Sequence, residues 1–229
     1  MKIRKALGAL ALALAIGQAN AAPVSVSGLT VDFQFDDALF GLFGTFGVED
    51  NALELHEPAQ FLAQTGAFGV VSASQATSNI EIIAHPGFKV VGVSLFEAGE
   101  YFRLGSAAKV AAGGQFIVGD TPLAFSAGDL DHTTTFEDFH TSPWQVSMSV
   151  ATDSGEVNVK LLNTLVAGIV TPDIAQFASI RKTRVEIGAL TAPITAVPLP
   201  ASVWMLGSAL LGYLSLARRR LHVQAGDLA

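Results

Sequence analysis

One-for-one alternation of apolar and polar residues constrains this chain more than any other feature. In Trp144-Gln-Val146-Ser-Met148-Ser-Val150 every second residue is apolar, and a period of two is the signature of a strand with one face buried. The same pattern runs, largely unbroken, through Val24, Val26, Leu29, Val31, Phe33 and Phe35. It returns at Ile80 and Ile82 and at Val157, Val159 and Leu161, and further strands are expected from Phe88 to Phe96 and from Ile180 to Ile187. Turn residues separate these runs: Pro86-Gly87, Gly113-Gly114 and Asp153-Ser-Gly155. Gly155 is expected to join the 144–150 run to the run after Glu156 as a hairpin, and Glu97 to Tyr101 is expected to be a turn. Strands about every ten residues, punctuated by Gly and Pro, predict an all-β, antiparallel β-sandwich over residues 22–195. The stretch from Thr171-Pro172 to Phe177 suits at most one short turn.

The chain of 229 residues has no cysteine. Disulfide staples, thiolate metal sites and a cysteine nucleophile are thereby excluded, and the fold must rest on its apolar core. Between residues 22 and 197 seven basic face nineteen acidic side chains, a net of −12. Counterion release needs Lys and Arg, so nucleic acid is not an expected partner.

Both ends depart from the alternation. Lys2, Arg4 and Lys5 precede an uncharged apolar run over residues 6–16, followed by Ala19-Asn-Ala21. This is the basic, apolar and small-residue order of a signal peptide over residues 1–21, cut between Ala21 and Ala22. At the other end no charge occurs from Ile187 to Ala217. Pro198 and Pro200 forbid helix before Ala201. The seventeen residues 201–217 would make a helix of roughly 26 Å, at the short end of what spans a bilayer. Trp204 suits the interface, and Arg218, Arg219 and Arg220 suit the cytoplasmic side. A single transmembrane helix is expected over 201–217, with a short cytoplasmic tail over 221–229. The other reading of the run is a buried core helix.

Val197-Pro198-Leu199-Pro200-Ala201, the apolar stretch and the arginine triplet together resemble the PEP-CTERM sorting signal in its VPLPA form. The resemblance covers residues 197–220, and it departs from the usual pattern in Leu199, where Glu is common, and in the nine residues after Arg220. It implies a Gram-negative exported protein handled by signal peptidase and the secretion translocon, held in the inner membrane, and then processed near the Pro-x-Pro by an exosortase-like enzyme. It further implies an association with exopolysaccharide or biofilm.

Residue patterns that would carry chemistry are sparse in this chain. No His-x-His or His-Glu-x-x-His spacing occurs among His56, His85, His132, His140 and His222, and there is no Gly-x-Ser-x-Gly elbow. His132 and His140 on a straight strand would stand roughly 26 Å apart. Adjacent acids such as Asp36-Asp37, Glu49-Asp50 and Glu137-Asp138 point to opposite strand faces rather than converging as a glycosidase pair. Asp129-Leu-Asp131 lacks the Gly and distal Glu of a calcium loop. No cofactor, metal or catalytic residue is assigned. Aromatics among glycines at Phe40, Phe43 and Tyr101, with Trp144, suit core packing or else a sugar-stacking platform. The chain is therefore expected to be a non-catalytic surface or matrix protein, with a carbohydrate-binding module as the alternative; exposure of those four rings separates the two.

Overall fold

The computed structural model describes residues 23–36, 41–56, 61–77, 79–128, 130–135, 137–172, 175–195, 205–206, 208–211 and 213. The signal peptide, the 197–201 motif and Arg218–Arg220 lie outside them, as does Phe40. The chain divides into one unit ending at Pro193 and a second from Ile194 onward.

The first unit is all-β, built of two antiparallel sheets. One has seven strands: β1 (Val24–Ser27), β2 (Val31–Phe35), β6 (Gly69–Ala76), β7 (Ile80–Ala84), β9 (Ala108–Val118), β10 (Thr121–Ser126) and β12 (Glu156–Ile169). The other has six: β3 (Thr45–Glu49), β4 (Ala52–His56), β5 (Leu62–Thr65), β8 (Phe88–Leu104), β11 (Ser142–Ser154) and β13 (Phe177–Pro193). Each sheet is organised in the same way around a long strand. β12 pairs β9 along one edge, and β7 and then β6 share its other edge end to end. β13 pairs β8 along one edge, and β5 and then β4 share the other.

The alternation fixes which side chains go inside. Val157, Val159, Leu161, Leu165 and Ala167 of β12 are buried, as are Val93 and Leu95 of β8 and Ile180, Val185 and Ile187 of β13. With Phe33, Phe116, Leu53, Leu55 and Ile82 they form one hydrophobic cluster drawn from both sheets. This is the sandwich layering the alternation predicts.

Several local expectations change. Residues 24–35 form two strands: β1 pairs β2 from Val24↔Phe35 to Ser27↔Asp32. The alternation had already slipped there, since Val26 and Leu29 are three apart, and Leu29 is exposed in the turn. Glu97 to Tyr101 is no turn but lies inside the seventeen-residue β8. Gly113-Gly114 likewise lies inside β9, where a Cβ on Gly114 would sit 1.9 Å from the Leu162 carbonyl oxygen. Glycine there admits a close strand approach. Gly155 does connect two strands, yet β11 and β12 belong to different sheets, so the turn crosses between layers instead of closing a hairpin.

In the second unit, Met205, Leu206, Ser208, Ala209, Leu210, Leu211 and Tyr213 are helical, within the stretch expected to be apolar helix. Among the described residues no helix is long and apolar enough to cross a membrane, and the remainder of 201–217 lies outside them.

Candidate functional site

Strand parity places three polar side chains inside the sandwich. Glu97 continues the inward series Val93, Leu95 on β8, and Asn163 falls within the series from Val157 to Ala167 on β12. Lys182 follows Ala178 and Ile180 on β13, and the bulge between Lys182 and Arg184 then resets the strand so that Val185 faces inward. Glu97 and Lys182 are at most 1% exposed in their side chains, and Asn163 is 2% exposed.

The three converge on one carboxylate. Lys182 Nζ donates to Glu97 Oε2 and Asn163 Nδ2 donates to Glu97 Oε1. Glu97 and Lys182 come from one sheet and Asn163 from the other, so the carboxylate bridges the two layers. Asn163 Oδ1 is buried with no hydrogen-bond partner, which is uncommon for a buried polar atom. Burial pushes the Lys182 ammonium down to about 8, against the opposing pull of the Glu97 charge. Isolated charges are costly in such a place, and pairing is what makes them tolerable.

Aromatic rings wall the amine. Nζ lies 5.5 Å from the centroid of Phe61 and 5.4 Å from that of Trp144, within cation–π range. Trp144, Gly99 and Lys182 form one cross-strand row, since Trp144 pairs with Gly99 and Gly99 with Lys182. A Cβ on Gly99 would stand 2.5 Å from Trp144 Cε2 and 2.1 Å from the Arg181 carbonyl oxygen. Trp144 Nε1 donates to that same oxygen at 3.2 Å. The missing side chain of Gly99 is thus the space through which the indole reaches the amine.

The aromatics named from the sequence are core residues where described: Phe43 is 0% exposed and Tyr101 and Trp144 are each 5% exposed. They offer no open face for stacking a sugar. Phe139 is exposed and packs on Phe102 at 4.6 Å, with Glu137 and Asp138 in solvent.

His132 and His140 are brought together, against the straight-strand estimate, because residues 130–135 and 137–141 lie in a loop that bonds back to β8. Thr134 N donates to the Arg103 carbonyl, Thr134 Oγ1 to the His140 carbonyl, and the buried Arg103 donates to the carbonyls of Ala108 and Leu130. The two imidazoles then lie 5.1 Å apart, His132 against Ser142 Oγ and His140 against Asp138 Oδ1. No group of three His, Asp or Glu side chains able to hold a metal occurs among the described residues. On the outer face of the six-stranded sheet, Glu54 and Glu186 line a shallow depression of about 390 Å³ and are both bonded by Arg184, at 2.6 and 2.8 Å.

No protein-family model matches the chain, and no curated protein matches it. The parity of Glu97 and Asn163 was a signal already present in the sequence, each being a polar residue at an inward position of an otherwise apolar series, whereas the bulge after Lys182 hides its place in such a series.

Proposed function

We propose that this is an exported, non-catalytic surface or matrix protein, directed by its two ends and built around a cysteine-free β-sandwich. The observation that carries the reading is the order of parts at the termini. A basic, apolar and Ala-x-Ala start is matched by Val197-Pro198-Leu199-Pro200-Ala201, an uncharged apolar run and Arg218-Arg219-Arg220. In this reading signal peptidase and the translocon release the chain at Ala22. The tail then holds it in the inner membrane with the acidic domain outside, and an exosortase-like enzyme processes the tail near Pro200. Extracellular polysaccharide is the matrix it accompanies. Burial of Phe43, Tyr101 and Trp144 favours the structural role over a sugar-stacking module.

Expression of the full chain in a Gram-negative host, with intact masses of each cell fraction, tests this. The expected products begin at Ala22 and either end near Pro200 outside the cell or keep Arg218–Arg220 in the membrane fraction. A cytosolic chain retaining both ends overturns the reading.

A further inference from the structure

We propose that Lys182 and Asn163 become joined by an intramolecular isopeptide bond, formed inside the folded core with Glu97 as the catalytic acid and base.

The three groups are a nucleophile, an electrophile and a proton carrier in one dry contact. One carboxylate holds the amine with one oxygen and the amide nitrogen with the other, so nucleophile and electrophile meet on a single shared group. Preassembly of this kind replaces a bimolecular encounter with an intramolecular one. Water, the competing nucleophile, is excluded, since Lys182 and Glu97 side chains are at most 1% exposed. An ion pair alone would need only Lys182 and Glu97. The third member comes from the opposite sheet and leaves its carbonyl oxygen unpartnered, which an acid formed at Glu97 would satisfy once the amide turns by a half-rotation about its Cβ–Cγ bond. Phe61 and Trp144 stand against the amine and confine it. Desolvation, which lowers Lys182 to about 8, brings the free amine within reach of neutral pH.

The step balances without a co-reactant. One proton passes from the Lys182 ammonium to the Glu97 carboxylate, giving a neutral amine and a carboxylic acid. The acid hydrogen-bonds Asn163 Oδ1 while the Nζ lone pair attacks Cγ, forming the Nζ–Cγ bond. Glu97 relays a second proton from Nζ to Nδ2, the Cγ–Nδ2 bond breaks, and ammonia leaves. The products are a secondary amide, a protonated Glu97 and one ammonia. The bond would fasten β12 to β13, and so one sheet to the other, in a chain that has no cysteine to do so.

The test is mass spectrometry on the purified, folded full-length chain. Its mass is expected to fall short by one ammonia. Tryptic digestion under denaturing conditions is expected to yield residues 161–181 covalently attached to residues 182–184, with no cleavage after Lys182. Glu97→Gln and Asn163→Ala, checked for a β-type circular dichroism spectrum, are expected to keep the full mass. The wild-type mass decides the matter even if a variant misfolds. A folded wild-type chain of full mass whose two peptides separate overturns the proposal, and so does a Glu97→Gln chain that still carries the bond.

Discussion

The Lys182 ammonium lies 5.4 Å from the centre of the Trp144 indole although their strands, β13 and β11, are separated by β8. The residue between them is Gly99, and the indole occupies the volume its side chain would fill. A glycine in mid-strand ordinarily weakens a sheet; here it lets a ring lie along the sheet and seal a buried charge.

Gly99→Ala is therefore expected to be strongly destabilising. The new Cβ would meet the Arg181 carbonyl at 2.1 Å, and backbone cannot swing away as a flexible side chain can. Overpacking of this kind costs about 1–3 kcal/mol and sometimes more. Gly128→Ala, where nothing lies within 4 Å of the added carbon, serves as control. Urea midpoints of the two variants check the contrast; equal midpoints would show that the sheet opens to admit a methyl group.

Lys182 gives a pH dependence of unusual sign. Its folded pKa of about 8 lies below the ordinary 10.5, so between those values the unfolded chain binds more protons than the folded one. Stability then rises with pH across that window. The cost of the buried charge is full below about 8 and relieved above it. The measurement belongs in Asn163→Ala, where the amine stays free to titrate opposite Glu97, with Asn163→Ala/Lys182→Met as baseline. Unfolding by urea at successive pH values is expected to show the single variant gaining on the double. Parallel curves would contradict the assignment.

At the acid end a carboxylate gives a slope of the same sign. Asp32 on β2 accepts from Ser27 and faces His85 Nε2 at 3.0 Å, and these contacts hold its carboxyl below the ordinary value of 3.8. A depressed carboxylate contributes stability that is present above its unfolded pKa and fades as pH falls through the folded one. Asp32→Asn should lower the urea midpoint at neutral pH and leave it nearly unchanged in strong acid. Both groups are about one-third exposed, so the loss is expected to be at the scale of exposed pairs, under about 1 kcal/mol. A loss that persists undiminished in strong acid would assign it to packing instead.

Much of the fold was legible because burial in a sandwich writes itself into the sequence at a period of two. Val146, Met148 and Val150 on β11, and Val157, Val159 and Leu161 on β12, read as strands and are strands. What periodicity cannot carry is partnership. Gly155 joins those two strands whether they pair or lie in separate layers, and only the competition of β8 for β11 and of β9, β7 and β6 for β12 decides it. Glycines misled for a related reason: Gly99 and Gly114 are required by neighbours distant in sequence, the Trp144 ring and the Leu162 carbonyl, rather than by local chain reversal. Glu97, Asn163 and Lys182 were hidden because each is ordinary alone, and the bulge after Lys182 breaks the parity that would have exposed it.

Strand β13 is the last of the fold, and the chain runs from Pro193 directly into the tail. It is flanked by β8 on one edge and by β5 and β4 on the other. A tug on the tail thus first meets Thr191 to Pro193, which pair with β8 alone, and only then the stretch ending at Gly188, where β8 on one edge and β4 on the other must let go together.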